Sequence, residues 1–258
     1  MNVLDSFSLK GKVALLTGGA GLYGRQLTEA LCEAGATVYI ASRNLEKLQA
    51  EAERTGAVAL QLDLDSDASI ASVVEEIMNR SGRIDVLVNN AVTRCACGEW
   101  ADRMDYFDRS LHTNASSMFV LTRRVGDIMK KQRSGSVVNI GSYMGLLGPN
   151  PVNYAGTDMF SFEKTSPIYF YEKGGMSNFT RWAASVLGHW NVRVNCIAPG
   201  GFFNNQPEAF VRHYSDNTML GRLANGTDLK GILVFLASDA SAYVTGTVIP
   251  VDGGYTAK

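Results

Sequence analysis

Apolar residues fall in short runs along this chain, spaced as alternating strands and helices require. The run at 13–17, Val13-Ala-Leu-Leu-Thr17, carries no charge and ends in glycines, as a strand buried on both faces does. From Leu22 the spacing turns helical until Gly35 closes it. Residues 37–41, 58–62, 86–88, 136–140, 192–197 and 248–251 read as further strands. Residues 45–54, 67–80, 102–131, a stretch ending near Leu187, and 228–236 read as helices. Within 67–80, Ile70, Val73, Val74 and Ile77 share one stripe. This alternation predicts an α/β protein: a doubly wound parallel sheet with right-handed crossovers and helices on both faces. No linker, repeat or low-complexity tract divides residues 1–258, so a single domain is expected. Residues 148–167 break the rhythm with Pro149, Pro151, Gly156 and Pro167, and read as a long ordered loop inserted near the active site.

Composition narrows the classes. The chain has 258 residues, 46% of them hydrophobic, which is enough to bury a full core. A formal net charge of -1 offers no electrostatic case for nucleic acid or an anionic membrane surface. Neither a signal peptide nor an apolar run of about 18 residues is found. The four cysteines, Cys32, Cys95, Cys97 and Cys196, are too sparse for a disulfide framework and complete no zinc set. A cytoplasmic setting and no metal are therefore expected.

Chemistry concentrates at three places. Thr17-Gly-Gly-Ala-Gly-Leu-Tyr-Gly24 joins the first strand to the first helix and contains Gly19-x-Gly21-x-x-Gly24. Glycines there let backbone approach a pyrophosphate, and the helix N-terminus supplies amide donors. At the end of the second strand the chain reads Ala41-Ser-Arg-Asn44, with no acid to bind a ribose 2′-hydroxyl. Arg43 can instead pair with a 2′-phosphate, which predicts NADP(H), with NAD(H) as the alternative. Asp63 follows the third strand, where it can meet an adenine amino group or cap a turn. Third, Tyr169 and Lys173 stand one helical turn apart. An ammonium beside a phenol favours the phenolate and makes the pair a competent proton donor and acceptor. Tyr154 has Asp158 in the corresponding slot and Tyr171 has Gly175, so only Tyr169 has a lysine partner.

Together these motifs resemble the short-chain dehydrogenases/reductases over nearly the whole chain. Asn89-Asn-Ala91, Asn114, Asn139-Ile-Gly-Ser142, Tyr169-x-x-x-Lys173, Asn195-Cys-Ile-Ala-Pro-Gly200 and Val251-Asp-Gly-Gly254 each match a family segment. The resemblance implies a Rossmann-type fold and a catalytic set of Ser142, Tyr169, Lys173 and Asn114. It implies a dinucleotide lying along Gly18, Gly19, Gly21, Leu22, Tyr23, Gly24, Ser42, Arg43, Asp63, Leu64, Asn90, Ala91, Tyr169, Lys173, Pro199, Gly200 and Phe202. It also implies a homo-oligomer, a tetramer by its C-terminal signature, acting on a small-molecule alcohol or carbonyl. Arg94, Tyr143, Tyr154, Phe203 and Asn204 are the candidate substrate contacts. Polar groups at Asn150, Asn153, Tyr154 and Asp158 suggest a sugar-like or polyhydroxylated substrate, as in bacterial relatives linked to sugar metabolism.

The chain departs from the family at several points. Leu22 stands where a glycine is common, Val92 replaces the glycine of Asn-Asn-Ala-Gly, and Asn204 occupies a frequent threonine position. The Ser142-to-Tyr169 interval is longer than usual. A 3-oxoacyl-thioester reductase and a non-catalytic NADP-binding sensor are the competing functions. An epimerase or dehydratase of the extended branch would need a larger C-terminal domain.

Overall fold

The structure is a computed structural model that describes residues 2–93, 104–159 and 167–258. Arg94, Cys95, Cys97 and part of the inserted loop lie outside the described residues. The described strands are β1 (Val13–Thr17), β2 (Thr37–Ser42), β3 (Val58–Gln61), β4 (Val86–Asn89), β5 (Gly135–Ile140), β6 (Val192–Pro199) and β7 (Val248–Val251). They form one parallel sheet in the order β3-β2-β1-β4-β5-β6-β7. The chain starts mid-sheet, winds outward to β3, then crosses back to β4 and winds the other way. The crevice at this β1/β4 reversal is where ligands bind in open α/β sheets.

Strand side chains alternate between two apolar layers, as a sheet covered on both faces demands. Leu15, Tyr39, Leu87 and Val137 pack with helices α3 (Asp67–Ser81), α5 (Ser117–Gln132) and α6 (Ile168–Leu187). Leu16, Ile40, Val88 and Val138 pack with α1 (Gly24–Glu33), α2 (Leu45–Thr55) and α8 (Lys230–Ala237). No described helix is long and apolar enough to cross a membrane.

One expectation is corrected and two elements are added. The helical stretch 102–131 is not continuous: α4 (Met104–Leu111) runs into a π-helical turn, His112–Ser116, before α5 begins. Asn114 bonds the Thr93 backbone from this turn, and Thr113 Oγ1 donates to Asp65 as well as to Arg109 O, so side chains hold the widened turn. A helix absent from the sequence reading, α7 (Glu208–Asp216), follows β6 and buries Phe210 and Tyr214. Within the inserted loop, Pro151–Tyr154 forms a 3-10 turn capped by Asn150, whose side chain accepts from Val152 N–H.

Buried polar side chains tie the sheet to its helices. Asn89 Nδ2 donates to Thr122 Oγ1 at 3.0 Å and to Asn139 Oδ1 at 2.8 Å, and Asn139 Nδ2 donates to Thr180 Oγ1 at 2.9 Å. Asn139 has no solvent exposure. Asn139→Ala strips partners from Asn89 and Thr180 in the interior and should cost about 1–3 kcal/mol. Urea unfolding should show a lowered midpoint at unchanged slope; an unshifted midpoint would remove this line from the fold's support.

Candidate active site

A cavity of about 670 Å³ opens over the C-terminal ends of the strands. One wall is the turn between β1 and α1. Gly18 takes φ +71°, and its N–H donates to Ala41 O. A Cβ on Gly24 would lie 2.0 Å from Gly18 O, and one on Gly19 2.5 Å from Ile40 Cγ2. Gly19 and Gly24 thus close the turn against α1 and β2 and do not line the cavity, whereas Gly18, Gly21, Leu22 and Tyr23 do. Asn90 shapes the turn from below: its Nδ2 donates to Thr17 O and Gly18 O, while Thr17 Oγ1 accepts from Asn90 and Ala91 N–H. The result is a backbone cradle at a helix N-terminus, with Gly18 and Gly21 on the cavity side, which fits a pyrophosphate.

Beyond the turn, Ser42, Arg43, Asn44 and Lys47 line the cavity beside the start of α2. Asn44 caps that helix by accepting from Lys47 N–H. Arg43 is exposed and reaches Thr93 Oγ1 at 3.5 Å. Lys47, absent from the sequence reading, adds a second cation; its signal was the i+4 spacing from Arg43 across a helix start. Leu62, Asp63 and Leu64 border the same end. Asp63 serves a turn, its Oδ1 accepting from Asp65 N–H, while still lining the cavity.

At the other end, β5 stops at Ile140 and the chain turns through Gly141 and Ser142. Ser142 Oγ accepts from Met144 N–H at 3.1 Å, capping a 3-10 turn at Tyr143–Gly145. That bond leaves the hydroxyl proton uncommitted. Tyr169 sits in the first turn of α6, and Lys173 Nζ lies 5.7 Å from its ring centroid. Lys173 is 5% exposed, and its ammonium donates to Ile140 O at 2.8 Å. Ser142, Tyr169 and Lys173 all face the one cavity.

Asn114 does not face it. Its Oδ1 accepts from Thr93 N–H at 2.8 Å, and its Nδ2 donates to Thr93 O at 2.9 Å and Glu172 Oε2 at 3.1 Å. The side chain is a strut between the exit of β4 and α6.

The same cavity is walled further by Tyr143, Met144, Tyr154, Phe202, Phe210 and Tyr214, with Asn204 and Gln206 alongside. Burial pushes the Tyr143 and Tyr214 phenols up, so both stay neutral. Tyr154 packs on Phe210 with ring centroids 5.3 Å apart. Phe203 is not part of this wall: its N–H pairs with Ala224 O, and the ring stands 49% exposed. Asn153 is likewise committed, at 1% exposure, with its Nδ2 on the Tyr255 hydroxyl. Phe210 and Tyr214 were missed with their helix; Pro207-Glu208 and the i, i+4 aromatics were the available signal. Behind the site, burial pushes the Cys196 thiol up to about 11, so it is not a nucleophile at neutral pH.

A parallel sheet with a glycine cradle at its switch point and a Ser/Tyr/Lys set facing it defines a dinucleotide-dependent oxidoreductase. Comparison with known proteins gives the family. A model described as enoyl-(acyl carrier protein) reductase matches residues 21–256. A 3-oxoacyl-(acyl-carrier-protein) reductase from Thermotoga maritima is 36% identical over 95% of this chain and 98% of its own. A cyclopentanol dehydrogenase from Comamonas sp. is 33% identical over 96% and 98%. The crystal structure of a gluconate 5-dehydrogenase from Burkholderia cenocepacia, in complex with NADP and tartrate, superposes with a TM-score of 0.86 at 28% identity, covering 100% of both chains. This chain belongs to the short-chain dehydrogenase/reductase family, and it is an oxidoreductase of that family.

The cradle makes a direct prediction. Gly24→Ala should weaken NADPH binding about tenfold or more by driving a methyl into Gly18 O. Gly231→Ala, with nothing within 4 Å of its added carbon, should leave binding unchanged. Titration of reduced-cofactor fluorescence reads both; equal affinities would remove the packing role from Gly24.

Proposed function

We propose that this enzyme interconverts a secondary alcohol and a ketone with NADP(H) as its cofactor. The shared cavity face of Ser142, Tyr169 and Lys173 carries the reading. When bound, the nicotinamide supplies or accepts the hydride. In the reductive direction Tyr169 gives its phenolic proton to the carbonyl oxygen as negative charge develops there. Ser142 donates a hydrogen bond to the same oxygen, as an oxyanion-hole donor does. Lys173, fixed by Ile140 O, stands with its ammonium 5.7 Å from the Tyr169 ring centroid and lines the same cavity. Asn114 holds the π turn against α6 through Glu172 and so keeps the helix bearing both groups in register.

The nucleotide preference rests on Arg43 and Lys47 at a helix start, with no carboxylate at the end of β2. For the substrate, aromatic walls with the Asn204 side chain beside them favour a compact neutral ring bearing hydroxyl groups, while Gln206 is held internally by Asn204 N–H and Phe202 O. This keeps the sugar-like reading but moves its support from the inserted loop, where Asn150 and Asn153 are used internally. Reduction of a 3-oxoacyl thioester is the second reading, favoured by the name of the Thermotoga maritima relative. We further propose a cytoplasmic homotetramer. Exposed aromatic surface on α5 and α6, where Phe119, Phe179 and Trp182 pack together, suits a subunit contact.

Tyr169→Phe should lower kcat at least ~100-fold while NADPH binding persists. A variant that turns over normally would refute the assignment. Arg43→Ala combined with Lys47→Ala should weaken NADPH about tenfold or more and leave NADH within about twofold. Equal losses for the two cofactors would show that these cations do not read the 2′-phosphate.

A further inference from the structure

The departure of the glycine motif at Leu22-Tyr23 has a counterpart across the cavity. The Tyr23 hydroxyl donates to Gly200 O at 2.6 Å, joining residues 177 positions apart in sequence. Its ring meets Phe202 edge-on, with centroids 5.1 Å apart. Tyr23, Gly200, Gly201 and Phe202 all line the cavity, so the contact runs from the cradle wall to the wall after β6. The far segment is otherwise held from its own side. Gly200 N–H donates to Val251 O, Gly201 N–H to the Tyr214 hydroxyl, Ala224 N–H to Gly201 O, and Phe203 N–H to Ala224 O. Gln206 Nε2 donates to Phe202 O. The Tyr23 bond ties this segment to the cradle.

We propose that Tyr23 is a positioning residue, a phenolic strut that fixes the width of the cofactor groove between the cradle and the Gly200–Phe202 segment. The inference rests on the reading of this cavity as the dinucleotide site. Without the strut, the segment samples a wider range in the free enzyme, and binding must restore order that the native protein already has. Burial pushes the Tyr23 phenol up, so it remains a donor throughout the pH range in which the enzyme is assayed. The strut is separate from Arg43 and Lys47, which line the cavity beside the start of α2. Its effect therefore falls alike on NADPH and NADH.

Tyr23→Phe removes one hydroxyl and keeps the ring against Phe202. We expect a loss of about three- to tenfold in affinity for both cofactors, the worth of one hydrogen bond. Stopped-flow fluorescence should trace that loss to faster release. Hydrogen–deuterium exchange on the cofactor-free protein should show faster exchange at Gly201–Phe203, with an unchanged melting temperature as the check on folding. Unchanged affinity with unchanged exchange overturns the strut, and so does tighter binding, which would make the phenol an obstacle. Failure here with Tyr169→Phe still inactive removes only the strut. Normal turnover by Tyr169→Phe removes the catalytic reading whatever Tyr23 does.

Discussion

A lysine ammonium held at 5% exposure is the constraint around which the Ser142/Tyr169 end of the cavity is built. Leaving such a charge buried without partners costs several kcal/mol, so the fold must bring acceptors to it. Ile140 O accepts at 2.8 Å because β5 ends there and α6 passes close above. The close passage has its own requirement. At Gly145 a Cβ would fall 2.5 Å from Lys173 O, so any side chain there would push the helix away. Gly141 leaves similar room for Cys196 Sγ, which a Cβ would approach to 2.7 Å. Gly145 therefore follows from where the lysine must sit, and Gly141 from the packing of β6 behind it. Tyr169, one turn earlier on the same helix face, reaches the cavity by helix geometry alone.

The helix α6 is anchored twice on consecutive residues of one strand. Asn139 binds Thr180, and Ile140 binds Lys173, seven residues and two turns back on the same face. Asn139 also holds Asn89 on the neighbouring strand, and Asn89 holds Thr122 on α5. A fully paired buried network of this kind fixes register in a way that apolar packing does not. It makes the distance between the cradle and the Tyr169 helix a property of the sheet. Thr17 and Asn90 complete the connection, since the strand that supplies Asn89 also supplies the amide that shapes the glycine turn.

Much of this was legible in the sequence, and the exceptions have physical reasons. The strands showed because burial on both faces leaves uninterrupted apolar runs such as 13–17. Tyr169 and Lys173 showed because helix spacing alone puts them together. The π turn at His112–Ser116 did not, since it is imposed by bonds from Asn114 and Thr113 to distant backbone and carboxylate, which leave no periodic trace. The α7 helix was hidden by its shortness and by the glycine and asparagine run before it. Phe203 was placed at the substrate because it follows Pro199-Gly200, where the resembled family has its substrate loop. In an extended segment adjacent side chains point opposite ways, and pairing with Ala224 selected Phe202 for the cavity. The polar groups of Asn150 and Asn153 were read as a sign of a sugar-like substrate, but a short proline-bounded turn needs caps and internal partners of its own.

The two ends of the cavity recognise ligands by different physics. Around Arg43 and Lys47 the surface is open, so attraction for an anionic group acts through water and weakens as salt rises. Around Tyr143, Phe210 and Tyr214 the described wall is buried aromatic surface with phenols held neutral, where contact depends on shape and is insensitive to salt. Between them lies a segment of backbone whose amides and carbonyls are used internally, from Gly200 to Phe203. A ligand passing there meets a fixed wall, because rearranging it would break several bonds at once. The cavity therefore offers charge at one end and shape at the other, with a hydrogen-bonded backbone segment fixed between them.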